Sequence, residues 1–168
     1  MRNTFLPLIV LLGAFAICAP AGFAQGAAKS GPDPSTIRDP ELEKDSLHNL
    51  DVARNYFKLK KAYVAALKRT EEIIAGNPNF QKIEETLWIA GSSSLLLADN
   101  KGKQKSSLYV SYDGTARKTL TPDQFREMGR DYLTRLITEH PESEFRAQAE
   151  EALRTSANVT PKAAEVKP

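Results

Sequence analysis

Two stretches of this sequence repeat one pattern 63 residues apart, and this repeat restricts the possible folds more than any other feature. When the chain is shifted by 63 residues, Pro78 falls on Pro141, and the aliphatic pair Ile73–Ile74 falls on Leu136–Ile137. In both stretches the apolar residues before the proline recur every three or four positions, as they do on one face of a helix. Repeated helical hairpins predict an all-α fold in which successive antiparallel helix pairs stack as a solenoid.

The same periodicity predicts five helices, over about residues 40–59, 61–75, 79–98, 122–140 and 143–153. Asp39-Pro40 and Thr121-Pro122 are typical helix starts, because a capping side chain precedes proline at the first helical position. Gln124 adds a capping box to the second of these starts. Ala66 and Gly129 lie 12 positions before the two prolines, and such small residues predict a close approach of paired helices.

An insertion at residues 99–120 separates the third and fourth predicted helices. It starts with a basic and polar stretch, Asp99–Lys105, which indicates a solvated loop. Leu108–Tyr112 and Thr115–Arg117 then flank Asp113–Gly114, a dipeptide typical of a tight β-hairpin. The insertion is expected to be a loop or a weak hairpin, since two strands are stable only when they pack on other elements.

Residues 1–24 are predicted to be a secretory signal peptide. Arg2 precedes an apolar run, Phe5–Ala16, and small residues lead to a cleavage site between Ala24 and Gln25. The apolar run has about a dozen residues, whereas a membrane-spanning helix needs about 20. The chain is therefore expected to be exported and periplasmic.

Cys18 offers an alternative for the N-terminal region, because lipoproteins are anchored through a cysteine at the end of their signal. Lipidation at Cys18 would associate the protein with the outer membrane, and membrane contact is expected only in that case. Glycine and proline in residues 25–38 predict a flexible linker before the helical domain at 39–154. Residues 155–168 are expected to form a disordered tail.

Composition and motifs exclude several classes of function. The chain has one cysteine and two histidines, too few for a disulfide framework or a multi-cysteine metal site, so no metal and no cofactor are expected. Its formal net charge of +2 argues against a nucleic-acid partner bound through phosphate neutralisation. No nucleotide-binding glycine motif and no serine-nucleophile motif is present, so no catalytic residue is assigned and the chain is not expected to be an enzyme.

The starts of the repeat units resemble tetratricopeptide repeats, in which apolar and small residues follow a fixed spacing. The residues that carry this resemblance are Leu50, Ala53, Arg54 and Phe57, and then Leu87, Ala90, Gly91 and Ser94. The turn sequences Ile73–Pro78 and Leu136–Phe145, followed by the alanine-rich Ala147–Leu153, are similar to those of the outer-membrane assembly lipoprotein BamD family. The resemblance covers about Leu47–Leu153 and implies about two and a half tetratricopeptide-like repeats.

The resemblance also implies where a partner would bind, because the first helix of each tetratricopeptide pair lines a concave groove. Counting from Leu50 and Leu87 assigns this partner-binding groove to Asp51, Asn55, Lys58, Glu85, Trp88 and Ser92. The amide of Asn55 could hold a peptide backbone through both its donor and its acceptor. Trp88, the sole tryptophan, is either an anchor for the partner or part of the packing between helices.

The function expected from these observations is an exported, non-catalytic, BamD-like scaffold that binds another cell-envelope protein or an extended segment of one. No small-molecule substrate is expected. One alternative is a genuine accessory lipoprotein of outer-membrane β-barrel assembly, anchored through Cys18. An alternative from another class is a small helical envelope hydrolase, which would need a buried glutamate or a serine–histidine pair.

Overall fold

The computed structural model describes residues 39–113 and 116–158, and these fold into five helices and one β-hairpin. The helices are α1 (Pro40–Arg54), α2 (Tyr63–Gly76), α3 (Ile83–Ala98), α4 (Pro122–Glu139) and α5 (Arg146–Ala157). Strands β1 (Val110–Asp113) and β2 (Ala116–Thr119) pair antiparallel, with Val110 opposite Thr119. This confirms the predicted all-α fold of helix pairs with a small inserted hairpin. The predicted signal, Cys18, the Ala24–Gln25 cleavage site and the linker lie outside the described residues.

The 63-residue repeat is present in the backbone hydrogen bonds of the two helix-ending turns. After α2, the amide of Asn77 donates to the carbonyl of Ile73, that of Phe80 to Asn77, and that of Ile83 to Phe80. After α4, the same three bonds join positions 140 to 136, 143 to 140 and 146 to 143. These turns delay the next helix, so α3 and α5 begin at Ile83 and Arg146, later than the apolar pattern predicts. Helix α5 continues to Ala157, three residues into the segment expected to be a tail.

Helix α1 ends in a wider turn that the sequence pattern does not reveal. The predicted first helix reaches residue 59, but Asn55–Lys60 forms a π-helical segment, here called the π turn. It closes where the amide of Ala62 donates to the carbonyl of Tyr56 at 2.9 Å, and Lys61 adopts a left-handed conformation with φ of 53°. Hydrophobic periodicity cannot separate a final π turn from a final α turn, because both continue the same helix for about one turn.

Helices α3 and α4 cross with their backbones in close contact at two glycines. A Cβ atom on Gly91 would lie 2.6 Å from Leu133 Cγ and 3.1 Å from the carbonyl oxygen of Gly129. A Cβ atom on Gly129 would lie 2.9 Å from Leu95 and 3.0 Å from the carbonyl oxygen of Gly91. Gly129, one of the two small residues predicted to allow close approach, does so together with Gly91, and the crossing joins the two helices that the insertion separates.

The core consists of two hydrophobic clusters, both centred on α3. One cluster joins all five helices, and its fully buried members include Leu50, Leu87, Leu133, Leu136 and Ala149. The other joins α2, α3, the start of α4 and the insertion, and includes Leu67, Leu97, Tyr109 and Phe125. Because α3 contributes to both clusters, it is almost wholly buried on both sides, and the other elements pack around it.

The aromatic side chain of Tyr109 packs the insertion on the helices. Tyr109 is buried, meets Phe125 edge to face at a ring distance of 5.4 Å, and donates a hydrogen bond of 2.7 Å to Glu71. Tyr132 also donates to Glu71, at 3.4 Å. Buried apolar area and satisfied polar groups hold the two strands against the stack, which resolves the choice between loop and hairpin in favour of a hairpin.

Candidate partner-binding groove

A cavity of about 350 Å³ opens between α3 and α5 at the end of the stack where both helices terminate. Trp88, Ser92 and Leu95 of α3 form one wall, and because they are spaced by four and three residues they share one helix face. The remaining lining residues come from the π turn, the segment after α3, the first turns of α4 and the last turns of α5: Phe57, Leu96, Asp99, Lys101, Arg126, Ala152, Thr155 and Ser156. We call this space the Trp88 cavity.

Trp88 packs between helices, and it also lines the cavity. Its ring stacks on Phe145 at the start of α5, with ring centres 6.4 Å apart and planes inclined by 16°. It is half-buried and packs against the first core cluster. The part of the ring that remains exposed lines the cavity, where an aromatic surface favours an apolar partner side chain.

Ser92 places a hydroxyl without a partner in the cavity wall. The residue is 8 % exposed, and its Oγ has no hydrogen-bond partner among the described residues. Ser94, two residues later, instead donates to the carbonyl of Ala90 at 2.9 Å. A buried hydroxyl that lacks a partner costs about 1–3 kcal/mol, so a ligand group that bonded to Ser92 would recover part of this cost.

The charged residues of the cavity neutralise one another. Arg126 contacts Asp123 at 2.7 Å and Asp99 at 3.6 Å, and Lys101 contacts the other oxygen of Asp99 at 3.2 Å. A partner would therefore meet an apolar surface with balanced charges at its edge, rather than a strongly charged site.

Arg54 joins two of the predicted groove residues in an ion-pair network. Its guanidinium donates from Nε to Glu85 Oε1 at 2.7 Å, donates from a second nitrogen to Glu85 Oε2, and donates to Asp51 at 2.6 Å. The hydrogen bonds from Arg54 lower the pKa of Glu85, and the same bonds raise the pKa of Arg54. The bonds to Glu85 therefore help to hold α1 against α3, and Asp51, on the same helix as Arg54, holds the guanidinium from its own side.

The predicted groove residues do not converge on one site. Trp88 and Ser92 line the Trp88 cavity, whereas Asp51 and Asn55 line a separate depression on α1 of about 390 Å³, together with His48, Val52, Tyr56 and Lys60. Lys58 is exposed on the π turn and lines neither space. Asp51 and Asn55 keep the spacing from which they were counted, whereas Lys58 lies within the π turn, where the spacing changes.

Sequence reasoning missed the contribution of α5. Ala152, Thr155 and Ser156 complete the cavity, and Ser156 is further held by Arg130, which donates to its carbonyl at 2.6 Å. If α5 is treated as the first helix of a third unit, the repeat pattern predicts that it also lines the groove. Phe57, one of the residues that carry the repeat resemblance, also lines the cavity but is not among the predicted groove residues.

The other shifted pKa values belong to the cluster under the insertion. Desolvation raises the pKa of Glu71, and its two tyrosine donors oppose that shift. Desolvation and the neighbouring carboxylate raise the pKa values of Tyr109 and Tyr132. In the parts of the chain that the structure describes, no three metal-ligating side chains come together, and no helix is long and apolar enough to cross a membrane.

Comparison with known proteins adds no functional argument. The chain matches no protein-family model, no curated protein and no solved structure. The repeat and the geometry of the Trp88 cavity are therefore the features of this chain that bear on its function.

Proposed function

We propose that this protein is an exported, non-catalytic scaffold that binds a segment of another cell-envelope protein, with the Trp88 cavity as the site of contact. The observation that carries the proposal is the cavity itself, where a half-buried tryptophan and a buried hydroxyl without a partner share one open wall. Apolar clefts with a few placed polar groups are the usual form of a binding site. The helix-pair fold and the tetratricopeptide-like repeat support a scaffold role.

The form of the cavity supports a short protein segment as the ligand. Aromatic and aliphatic side chains form its wall and paired charges lie at its edge, an arrangement that suits one apolar anchor residue with polar neighbours. Two and a half repeats present only a small surface. The interaction is therefore expected to be weak or transient, since stable interfaces bury about 1,200–2,000 Å² in total.

Photo-crosslinking in the producing cells tests this proposal. A photoreactive amino acid is placed at Thr155, which is exposed and lines the cavity, and for comparison at Thr134, which is exposed on α4. A defined crosslinked product is expected from Thr155 and not from Thr134. Equal products from both positions, or none from Thr155, would contradict binding at the cavity.

Ser92→Ala and Ser93→Ala form a matched pair for the same experiment. Both hydroxyls are buried and lack a partner among the described residues, but only Ser92 lines the cavity. Both variants should be at least as stable as the parent chain, because each loses a buried polar group without a bond. Ser92→Ala should lower the crosslinking yield about two- to tenfold, the worth of one hydrogen bond, and Ser93→Ala should not. The opposite order would reject a role for the Ser92 hydroxyl.

The N-terminal region decides between the periplasmic scaffold and the alternative lipoprotein of outer-membrane assembly. The intact mass of the protein is measured after separating soluble and membrane fractions of the host. A chain that begins at Gln25 in the soluble fraction supports the scaffold. A lipid-modified chain that begins at Cys18 in the membrane fraction supports the assembly lipoprotein.

A further inference from the structure

One end of the helix stack carries six exposed lysines around an exposed leucine. The end consists of the π turn, the start of α2 and the segment after α3. We call it the lysine end, and its lysines are Lys58, Lys60, Lys61, Lys101, Lys103 and Lys105. Leu59 lies among the first three and is 74 % exposed, the highest value of the four large apolar side chains that are exposed in the described residues.

Backbone contacts bring the two lysine-bearing segments onto one surface. The amide of Lys103 donates to the carbonyl of Lys61 at 2.9 Å, and the side chain of Gln104 accepts from the amide of Ala65 at 3.0 Å, at the start of α2. Gly102 has a φ of 98°, and a Cβ atom there would lie 2.5 Å from the ring of Tyr63. Only glycine fits this position, so the segment after α3 is held against α2 and its lysines stay close to those of the π turn.

Fewer carboxylates than lysines lie near this surface: Asp51 shares a depression with Lys60, and Asp99 and Asp123 contact Arg126. Among the salt bridges of the described residues, only the one between Lys101 and Asp99 involves these lysines, and Asp99 also contacts Arg126. Lys60 lies over the ring of Tyr56 at 5.0 Å, and Lys58 acts on Glu85 at longer range.

Acidic residues instead concentrate at the opposite end. Asn77 contacts Ser46 there, so the end of α2 lies beside the start of α1, and His140 lies 3.8 Å from Glu84. The acidic side chains near these turns are Glu41, Glu43, Asp45, Glu139, Glu142 and Glu144. The molecule is therefore electrically polar along the helix axes, and this charge distribution would orient it in front of a negative surface.

We propose that the lysine end docks onto a membrane surface that contains anionic phospholipid, with Leu59 entering the interfacial region. The six cations are all lysines, which act as mobile point charges and suit a fluid layer of headgroups, whereas geometric recognition of protein carboxylates favours arginine. An exposed leucine among cations is typical of interfacial binding. This contact goes beyond the groove function, needs no lipid on Cys18, and would be reversible.

Vesicle sedimentation of the full chain measures this contact. Partitioning is compared between neutral phosphatidylcholine vesicles and vesicles with about 30 % phosphatidylglycerol, and the ratio of the two partition coefficients is the readout. This ratio is chosen because apolar binding by any other part of the chain raises both coefficients together. The parent chain should prefer the anionic vesicles, and added salt should remove the preference.

Two matched double variants test whether the lysines of the lysine end are the source of the preference for anionic vesicles. Lys60→Gln/Lys103→Gln changes the lysine end, and Lys44→Gln/Lys82→Gln removes two exposed lysines from the acidic end, so both variants have the same net charge. The first should lower the ratio about 30-fold, which is about fivefold per lysine, and the second should leave it within about threefold. Equal effects of the two variants, or equal binding of the parent to both vesicle types, would overturn the proposal.

Leu59→Ser and Leu42→Ser test the apolar contribution of Leu59 to membrane binding. Both leucines are exposed, but Leu42 lies near the start of α1, at the other end. Leu59→Ser should lower the partition coefficient on anionic vesicles about tenfold and Leu42→Ser should not, while both keep the helical circular dichroism of the parent. Sedimentation velocity without vesicles tests whether a second copy of this chain, rather than a membrane, binds the lysine end. If Lys60→Gln/Lys103→Gln abolishes a dimer of the parent chain, the lysine end binds the acidic end of a second copy and the membrane proposal is wrong.

Discussion

Glu71 and Glu85 are two carboxylates whose surroundings shift their pKa values in opposite directions. Glu71 lies under the insertion, where desolvation raises its pKa above the ordinary 4.5 although two tyrosines donate to it. Glu85 lies between α1 and α3, where hydrogen bonds from Arg54 lower its pKa below the same value. In the native state, one group therefore retains its proton to higher pH than in the unfolded chain, and the other loses its proton at lower pH.

Because each carboxylate has a different pKa in the native and unfolded states, each changes the unfolding free energy over its own pH range. As the pH rises from about 4.5 through the raised native pKa of Glu71, the unfolding free energy falls, because the native state binds more protons than the unfolded state. Glu71→Gln removes this loss and keeps an oxygen that accepts from Tyr109. It should therefore be at least as stable as the parent at neutral pH, with a relative gain that grows across that window. Urea denaturation at several pH values measures this gain, and a difference that does not change with pH would contradict it.

Glu85→Gln should have the opposite effect. The contribution of Glu85 is present above pH 4.5 and is lost as the pH falls through its lowered native pKa. At neutral pH the variant should lose about 1–3 kcal/mol of unfolding free energy, because Arg54 keeps its charge and loses its bidentate partner. The deficit should shrink as the medium becomes more acidic. A deficit that stays constant down to about pH 3 would show that the ion pair itself is not its source.

At the scale of elements, the crossing of α3 and α4 depends on the absence of two side chains. Gly129→Ala should destabilise the protein by about 1–3 kcal/mol, because the new Cβ atom would overlap Leu95 and the backbone of Gly91. Gly76→Ala is the matched control, since a Cβ atom there meets nothing within 4 Å. It should be neutral or stabilise by up to about 1 kcal/mol. Urea denaturation compares the two variants, and equal losses would mean that close packing is not what Gly129 provides.

The inserted hairpin depends on Tyr109 for its attachment. Tyr109→Ala removes the contact with Phe125 and the hydrogen bond to Glu71, so the amides of β1 and β2 should exchange hydrogen at least about tenfold faster. Tyr112→Ala is the control, because Tyr112 lies in β1 and is 66 % exposed. Hydrogen exchange read by mass spectrometry separates the hairpin from the helices. Unchanged exchange of the hairpin in Tyr109→Ala would show that other contacts hold it.

The elements that the sequence predicted correctly are those encoded by neighbouring residues. Helical periodicity, the capping box at Thr121 and the proline turns each depend on a few adjacent positions, and all three are present. The groove positions depended instead on counting along the helices, which failed at Lys58, where the π turn changes the spacing. The bond between Arg54 and Glu85 joins residues 31 apart, so no local pattern contains it.

At the scale of the whole molecule, α5 is the last helix of the described residues and also a wall of the proposed site. In stacked repeats each unit contacts only its neighbours, so an end unit can separate before the rest unfolds. Helix α5 is held through Ala149 in the core, through Arg130 bound to Ser156, and through Phe145 stacked on Trp88. Because Trp88 is the sole tryptophan, its fluorescence reports directly on whether α5 is in place.

Phe145→Ala should therefore divide one unfolding transition into two. During urea denaturation, the Trp88 fluorescence should change at a lower concentration than the helical circular dichroism, because α5 detaches while α1–α4 remain folded. Arg154→Ala is the control, since Arg154 is exposed on α5 and pairs only with its near neighbour Glu151 among the salt bridges of the described residues. Its two signals should change together, as in the parent chain. If they also change together in Phe145→Ala, α5 unfolds in one cooperative step with the other helices, and the cavity wall is as stable as the core.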